Sequence, residues 1–454
     1  MARPLTSLTA FDASRSMQLS LTLLRPRQSA APAAARRPAT DRAPGGRPRR
    51  SVALLVFVLG LLTATSSLAT DLYLPAFPDI AADLRATEAQ VQLTLTAIMV
   101  GLAAGQLVIG PLSDRWGRRV PLLVGVGVFT LSSLASAVAP SVEALSVLRL
   151  LQGLSGAAGA VISRAVVRDV FDGDDGARFF SRLSMLTGLA PMLAPMLGSQ
   201  LLLLGSWRLL FGVLALIGLV NLALVHFALP ETRPRERRVE RAGGRRGSVA
   251  NVLLRLQLDP RFMGPTLVMA LSFAMTFTYI SAFSFVSESE FGATPQQFGV
   301  IFGVNSLSMV VGNQVNAMLI GRVDGPRRLL AGLLGALVSV AALVCLAVSG
   351  QAGLVSVTAA LIAMMFFTGL ISPNATTLAI AGQPASVAGT GSALLGALQF
   401  AIGGGLAATT GMGEGGEASL LSMSTVMLAT AAAATAVFVG WAVHAHRSAA
   451  PRTA

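Results

Sequence analysis

The feature that most constrains this chain is a series of twelve apolar stretches, each about 20 residues long. A helix of that length crosses the hydrocarbon core of a bilayer and satisfies its own backbone hydrogen bonds there. The stretches cover residues 52–79, 91–112, 120–139, 143–164, 183–204, 207–229, 264–286, 296–320, 328–349, 353–373, 387–410 and 418–443. They predict an all-α polytopic membrane protein with 12 transmembrane helices.

The composition agrees with a chain embedded in lipid. Only 12% of the residues are charged and 53% are hydrophobic, whereas soluble domains carry about 25% charged residues. A membrane-embedded enzyme would need paired acids, a His or Ser constellation or a metal set at membrane depth, and the apolar stretches contain none. We therefore predict no catalytic residue, no metal site and no bound cofactor. The single cysteine, Cys345, excludes a disulfide within the chain.

The arginines predict which side of the membrane each connection occupies. All 34 basic residues are arginines, and all but Arg85, Arg149 and Arg208 lie in the termini or in alternate connections. Cytosolic connections of membrane proteins carry such an excess of basic residues. We therefore expect both termini to lie in the cytosol.

Hydrophilic segments divide the chain into parts. The first 50 residues hold ten arginines and many Pro and Ala residues, which is typical of a disordered cytosolic tail. A nucleic-acid-binding arm is the alternative, but interleaved aromatic residues are missing. The interval 230–263 carries nine arginines and predicts an exposed linker at anionic headgroups, with a surface helix over 251–258. The predicted parts are the tail 1–50, a six-helix half 51–229, the linker 230–263, a six-helix half 264–443 and a cytosolic tail 444–454.

A short loop between the second and third stretches carries a resemblance. Its sequence, Gly110-Pro-Leu-Ser-Asp-Arg-Trp-Gly-Arg-Arg119, resembles the G-x3-D-x2-G-R-R signature of the major facilitator superfamily, and it lies at the connection where that family has it. We expect Gly110 to allow close helix approach, and Asp114 to interact with Arg118 or with a helix N-terminus and form a cytosolic latch between the halves.

A degenerate counterpart of this loop follows the eighth stretch, at Gly321–Arg328. The resemblance thus implies two parallel six-helix repeats related by an axis along the membrane normal, which is the major facilitator fold.

Two further stretches resemble signatures of the same superfamily. Arg149-Leu-Leu-Gln-Gly153 in the fourth span is similar to an R-x2-Q-G motif associated with proton coupling. Residues 188–199 in the fifth span are similar to the antiporter motif, although Ala194 and Ser199 replace its usual glycines; a kinked packing helix is the alternative. The resemblance implies a gating role for Gly110, Asp114, Gly117, Arg118, Arg119, Pro191, Pro195 and Gly198.

Four segments indicate a narrower group within the superfamily. They are Thr70–Pro78, Leu229–Thr232, Ser372–Asn374 and Gly389–Gln399, and together they resemble the Bcr/CflA group of bacterial drug-resistance transporters. That resemblance implies a monomeric, proton-driven exporter of antibiotics such as bicyclomycin, amphenicols or sulfonamides in the bacterial inner membrane. The resemblance covers roughly residues 51–445.

Only two charged residues lie deep in a predicted span. Asp71 is about 12 Å from the outer end of the first span, and Arg149 is about 9 Å into the fourth, at 1.5 Å per residue. Ionisable groups at this depth are costly and usually functional. We therefore predict that Asp71 and Arg149 lie at similar depth and couple transport to protons; the alternative is that each reaches separately for the outer interface.

The second half has no charged residue in the interior of its spans. Aromatic and amide side chains there can contact a drug; the alternative is helix packing, which such an aromatic stripe more often serves. The predicted substrate-binding candidates in the whole chain are Tyr73, Gln152, Phe273, Phe277, Tyr279, Asn305 and Gln399.

These observations together favour a drug/proton antiporter that works by alternating access. The expected partners are a small drug-like molecule, protons as the coupling ion, and the lipid bilayer, with no nucleic acid. A proton-coupled transporter of a small metabolite is the alternative, and it would need a more polar site than the second half offers.

Overall fold

The computed structural model describes residues 49–170, 189–232, 249–407 and 418–449, and the regular elements within these ranges are helical. The first half contains α1 (Arg49–Asp71), a 3-10 turn (Leu74–Ala76), α2 (Phe77–Leu84), α3 (Glu88–Trp116), α4 (Arg119–Ala137), α5 (Val142–Val170), α6 (residues 189–201) and α7 (Arg208–Ala228). The short helix α8 (Val249–Leu258) precedes the second half, which contains α9 (Pro260–Ser289), α10 (Pro295–Met318), α11 (Gly325–Ser349), α12 (Leu354–Ala381), α13 (Ala385–Ala407) and α14 (Leu420–Ala449).

The helices agree with the predicted spans. Within the described ranges, ten helical segments are long and apolar enough to cross a membrane. The eleventh predicted span coincides with α13, whose apolar part, Thr390–Leu406, is shorter. The fifth predicted span is described from residue 189 onward, where it is helical to residue 201. The prediction of an all-α membrane protein with twelve spanning helices is confirmed.

The predicted N-terminal tail lies almost entirely outside the described residues, whereas the linker and the C-terminal tail are described in part. The tail is described only from residue 49, and residues 233–248 and 450–454 are not described. The helix predicted over 251–258 is present as α8. Its Leu256 side chain is buried, and Asp259 accepts a hydrogen bond from the side-chain amide of Gln383 at 2.9 Å. The hydrogen bond from Gln383 thus fixes the start of α9 next to the connection between α12 and α13.

The first span is interrupted near its outer end. The helix α1 stops at Asp71, and a 3-10 turn containing Pro75 leads into α2. Proline has no N–H to donate and disfavours the α conformation at the residue before it, so a continuous helix across this point is disfavoured. As a result, Asp71 is the last residue of α1, at a break within the apolar segment Leu54–Leu84.

We call the helix ends next to the arginine-rich connections inner and the opposite ends outer. At the outer side, the second spanning helix of each half begins with the same capping box. Thr87 and Gln90 exchange backbone and side-chain hydrogen bonds at the start of α3, and Thr294 and Gln297 do so at the start of α10. Such reciprocal bonds satisfy two helical N–H groups that otherwise have no partner.

Close crossings between helices repeat in the two halves as well. A side-chain carbon at Gly101 of α3 would overlap the carbonyl oxygen of Leu150 on α5. In the second half, a side-chain carbon at Gly312 of α10 would overlap the carbonyl of Phe366 on α12. Small residues let membrane helices approach backbone to backbone. Since α3 and α5 are the second and fourth spans and α10 and α12 are the eighth and tenth, these crossings support two parallel repeats.

Candidate functional site

The guanidinium of Arg149 lies inside the first half. Its side chain is fully buried, and Nη2 donates to the carbonyl oxygen of Ala69 on α1 at 2.6 Å. The guanidinium carbon is 4.0 Å from the ring centroid of Tyr73 and 5.5 Å from that of Phe211 on α7. A cation over aromatic faces gains energy that grows when water is excluded. Three helices therefore hold this charge in place.

The structure places Asp71 near Arg149. Asp71 is 8% exposed, and the two side chains interact electrostatically. Yet no nitrogen of Arg149 lies within 4.0 Å of the Asp71 carboxylate in the described part of the chain. The arginine bonds the backbone of the helix that ends at Asp71, so the two groups are neighbours without an ion pair.

Gln152 extends the network from Arg149 to the third span. Its side-chain oxygen accepts a hydrogen bond from Nη1 of Arg149, and its Nε2 donates to the Ser133 hydroxyl at 2.6 Å. The spacing of Arg149 and Gln152 at i and i+3 makes this contact possible. Gln152 and Tyr73 are both fully buried, and the Tyr73 hydroxyl bonds Thr94 at 3.1 Å. In this conformation both residues support the site, and their contact with a substrate stays a prediction.

The aromatic candidates of the second half fall into two groups. Phe277 and Tyr279 are buried, whereas Phe273 is partly exposed. Phe273 stacks on Phe277 with ring centroids 5.6 Å apart and meets the edge of Phe400 on α13 at 5.5 Å. The sequence analysis did not single out Phe400, although it directly follows the candidate Gln399.

The two amide candidates, Asn305 and Gln399, differ in burial. Asn305 is fully buried, and its Nδ2 donates to the Tyr279 hydroxyl at 2.7 Å. Gln399 retains partial exposure. Of the seven predicted substrate contacts, Phe273 and Gln399 are thus the two that keep some exposure in this conformation.

The signature loop forms a charged cluster at the inner end of the first half. The buried Arg118 side chain donates to Asp114 and Asp169, both at 2.9 Å, and to Ser113 at 2.8 Å. The predicted Asp114–Arg118 contact is confirmed. All of these Arg118 partners belong to the first half, so the expected latch between the halves is not formed by Arg118 in this conformation.

Glu231, which follows α7, binds the same loop. Its carboxylate oxygens accept the backbone N–H groups of Arg118 at 2.9 Å and Arg119 at 3.2 Å. A carboxylate at the first turn of a helix is favoured by the helix dipole, and α4 begins at Arg119. The signal for this contact was the Pro-Glu-Thr segment at 230–232, which the sequence analysis used only as a mark of resemblance.

Two glycines of the loop have different roles. Gly117 adopts a φ of 93°, which residues with a side chain rarely tolerate, so it makes the turn possible. The close helix approach expected at Gly110 is wrong: a side-chain carbon there would meet no atom within 4 Å. The close approach of the second span lies deeper, at Gly101 and Gly105, because that part of the helix faces α5.

A related cluster without carboxylates closes the inner end of the second half. Nη1 of Arg328 donates to the side-chain oxygen of Asn316 at 2.8 Å, and Nδ2 of Asn374 donates to the same oxygen at 2.6 Å. Amides thus occupy positions next to Arg328 that resemble those of the acids around Arg118. The two inner clusters thus share a buried or partly buried arginine but differ in the groups that it bonds.

The fifth span packs against the end of the first. A side-chain carbon at Gly198 would overlap the carbonyl oxygen of Leu72, the residue after Asp71. Ser199, which departs from the antiporter pattern, faces α10, where a side-chain carbon at Gly299 would lie 2.5 Å from the Ser199 hydroxyl oxygen. Glycine at 198 therefore lets α6 reach the backbone beside the buried acid. Pro191 is part of the same helix, and its gating role stays a prediction.

Comparisons with known proteins agree with this architecture. The family model described as Major Facilitator Superfamily matches residues 59–408. The uncharacterized MFS-type transporter YdgK of Bacillus subtilis is 36% identical over 399 residues, which are 87% of this chain and 96% of that protein. A bicyclomycin resistance protein homolog of Haemophilus influenzae is 32% identical over 367 residues, which are 78% of this chain and 88% of that protein.

A solved structure shows the same fold at low sequence identity. A bacterial homolog of the human lysosomal transporter Spinster, in an inward-facing and unoccupied conformation, aligns with a TM-score of 0.66 and 16% identity over 88% of this chain and 96% of that one. The resemblance to the superfamily and to its bicyclomycin resistance relatives is confirmed. The chain therefore belongs to the Major Facilitator Superfamily and is a multi-pass membrane transporter.

Proposed function

We propose that this transporter exports small drug-like molecules across the bacterial inner membrane in exchange for protons, with both termini in the cytosol. The name of the bicyclomycin resistance relative supports a drug as substrate. The distribution of arginines supports the orientation. The proton as coupling ion rests on the site in the first half.

The observation that carries the proposal is the placement of Asp71 beside the fully buried Arg149. A carboxylate and a guanidinium inside membrane helices are expensive to keep, and such groups usually serve a function. Arg149 is held by the carbonyl of Ala69 and by Gln152, so its charge stays beside Asp71 whether or not the acid is protonated.

The proposed transport cycle follows from the change in charge when Asp71 gains or loses a proton. When the site is open to the outside, Asp71 takes up a proton and the substrate leaves. When the site is open to the cytosol, Asp71 releases the proton as a drug binds. Each proton that moves inward supplies about 2.3 kcal/mol per 100 mV of membrane potential, in addition to the pH difference.

The partly exposed aromatic side chains of the second half favour an apolar substrate. Phe273 and Phe400 meet edge to face across α9 and α13, and both are partly exposed. Aromatic faces contribute apolar area and stacking but no hydrogen bonds of the kind that a sugar-like metabolite needs. A metabolite transporter remains the second candidate, because the same fold and acid would serve it.

A susceptibility panel tests the proposal. The chain is expressed in a bacterial host that lacks its own efflux pumps, and growth is measured against bicyclomycin, amphenicols, sulfonamides and unrelated drugs. We expect a rise of at least about fourfold in the inhibitory concentration of one or more drugs, with export lost when an uncoupler is added. Protein that is expressed in the membrane and changes no drug's inhibitory concentration contradicts drug export and favours the metabolite alternative.

A further inference from the structure

The two halves are joined at their outer ends. The Ser284 hydroxyl on α9 donates to the carbonyl of Leu74 in the first half at 2.8 Å. The side-chain amide of Gln296 on α10 donates to the carbonyl of Ser199 on α6 at 3.0 Å. Both contacts lie near the outer ends of their helices, so this conformation is closed on the outer side.

A carboxylate adds a third bond across the same boundary. Glu88 lies in the first turn of α3, and its Oε2 accepts a hydrogen bond from the backbone N–H of Ala418 at 2.7 Å. Ala418 lies two residues before α14, the last spanning helix of the second half. The acceptors at Leu74 and Ser199 are neutral carbonyls, whereas Glu88 offers a charge, and charge-assisted hydrogen bonds are about twice as strong as neutral ones.

The start of α14 is bound by a second carboxylate, which comes from its own half. Glu290, at the end of α9, accepts the N–H of Leu420 through Oε1 at 2.6 Å. The two acids therefore make nearly identical contacts with neighbouring N–H groups. They differ in one respect: Glu290 moves together with α14 if the halves rock as rigid bodies, whereas Glu88 lies across the boundary.

We propose that Glu88 locks the outer side closed, and that its bond to Ala418 must break before the site opens outward. This inference rests on the alternating-access part of the proposed function, but not on the identity of the substrate. The bond from Glu290 to Leu420 stays intact in both states and fixes the start of α14 within the second half.

Distances between spin labels at the outer ends test the proposal. Replacing Cys345 with serine removes the only native thiol, and labels are then attached at Val138→Cys and Val348→Cys. Val138 follows α4 and is 74% exposed, while Val348 lies near the outer end of α11 and is 72% exposed. The label distances are measured by double electron–electron resonance on the full-length protein in lipid nanodiscs.

We expect Glu88→Ala to raise the ratio of long to short label distances by about tenfold, as the loss of a hydrogen bond to a charged group implies. Ala418→Pro removes the donor N–H and should produce a shift in the same direction. Glu88→Gln keeps an acceptor oxygen and should stay closer to the wild type. The matched control is Glu290→Ala, which removes the equivalent bond within one half and should leave the distances unchanged.

Two results would overturn the proposal. One is an unchanged distance distribution in both Glu88→Ala and Ala418→Pro, and the other is an equally large shift in Glu290→Ala, which would assign the effect to the start of α14 and not to the boundary. The experiment uses neither drug nor pH gradient. A failed search for drug export therefore leaves its outcome interpretable.

Discussion

Arg149 donates a hydrogen bond to the backbone carbonyl of Ala69 at 2.6 Å, and that carbonyl lies two residues before Asp71 on the same helix. The arginine is thus positioned by the backbone and not by the carboxylate. Its Nε–H has no acceptor among the residues that the structure describes. A charge held in this way acts on Asp71 without consuming the carboxylate oxygens, which stay available for a proton.

This geometry predicts that charge alone at position 149 is insufficient. In Arg149→Lys a single ammonium replaces the planar fork, so it cannot bond both Ala69 and Gln152 while lying over the Tyr73 ring. We expect drug transport into inside-out vesicles to fall by about tenfold or more at unchanged protein levels, the size expected when a charged hydrogen bond is lost.

The matched control for this change is Arg208→Lys. Arg208 pairs with Asp83 at the outer surface, where its side chain is 36% exposed. Exposed ion pairs contribute about 1 kcal/mol or less, so transport should stay near the wild-type rate. Full transport by Arg149→Lys would show that the bonds to Ala69 and Gln152 are dispensable.

The carboxylate itself is tested by Asp71→Asn. Asparagine preserves the size of the side chain but cannot exchange a proton, so export driven by a pH gradient should disappear while the protein still inserts. Asp79→Asn, at an exposed position on α2, provides the control and should retain export. Vesicles of the Asp71→Asn variant that still accumulate drug, and lose it with an uncoupler, would move the proton site elsewhere.

The crossing between α3 and α5 predicts a strong stability effect at Gly101. In Gly101→Ala the added methyl group meets the carbonyl oxygen of Leu150, which is backbone and cannot turn away. Overpacking of this kind costs about 1–3 kcal/mol, so the melting temperature of the purified protein should drop. Gly127→Ala on α4 adds the same methyl group where no atom lies within 4 Å, and it should not lower the melting temperature. Equal melting temperatures for the two variants would contradict the close crossing.

The two inner clusters should differ in their response to losing an arginine. Arg118→Gln removes charged hydrogen bonds to the partly exposed carboxylates of Asp114 and Asp169, and each bond of this kind contributes about 1.5–3 kcal/mol. Arg328→Gln removes a donor from Asn316, and a lost hydrogen bond of this kind costs about 1–3 kcal/mol. Thermal unfolding in detergent should therefore show the larger loss for Arg118→Gln. The opposite order would mean that the charged cluster contributes little to stability.

The prediction of the helix contacts from sequence succeeded only where the contact was local. Asp114 and Arg118 are four residues apart on adjoining turns, and their pairing was predicted correctly. Close approach was expected at Gly110 but occurs at Gly101, because glycine in a helix does not reveal which neighbour its surface will meet. The contact from Glu231 to the backbone of Arg118 spans 113 residues and depends on how α7 ends beside the loop.

The sequence by itself determined the number of spanning helices and the expected side of the arginine-rich connections. These properties follow from the free energy of placing each side chain in lipid and from the fixed rise of a helix. Both quantities depend only on residues that are close together in the sequence. The tertiary structure decided that Arg149 bonds the carbonyl of Ala69, that Phe277 and Tyr279 are buried, and that Glu88 reaches Ala418 across the halves. The two hydrogen bonds require donor and acceptor to approach within about 3 Å, and the burial requires neighbouring helices to cover the rings; the packing of distant helices sets both.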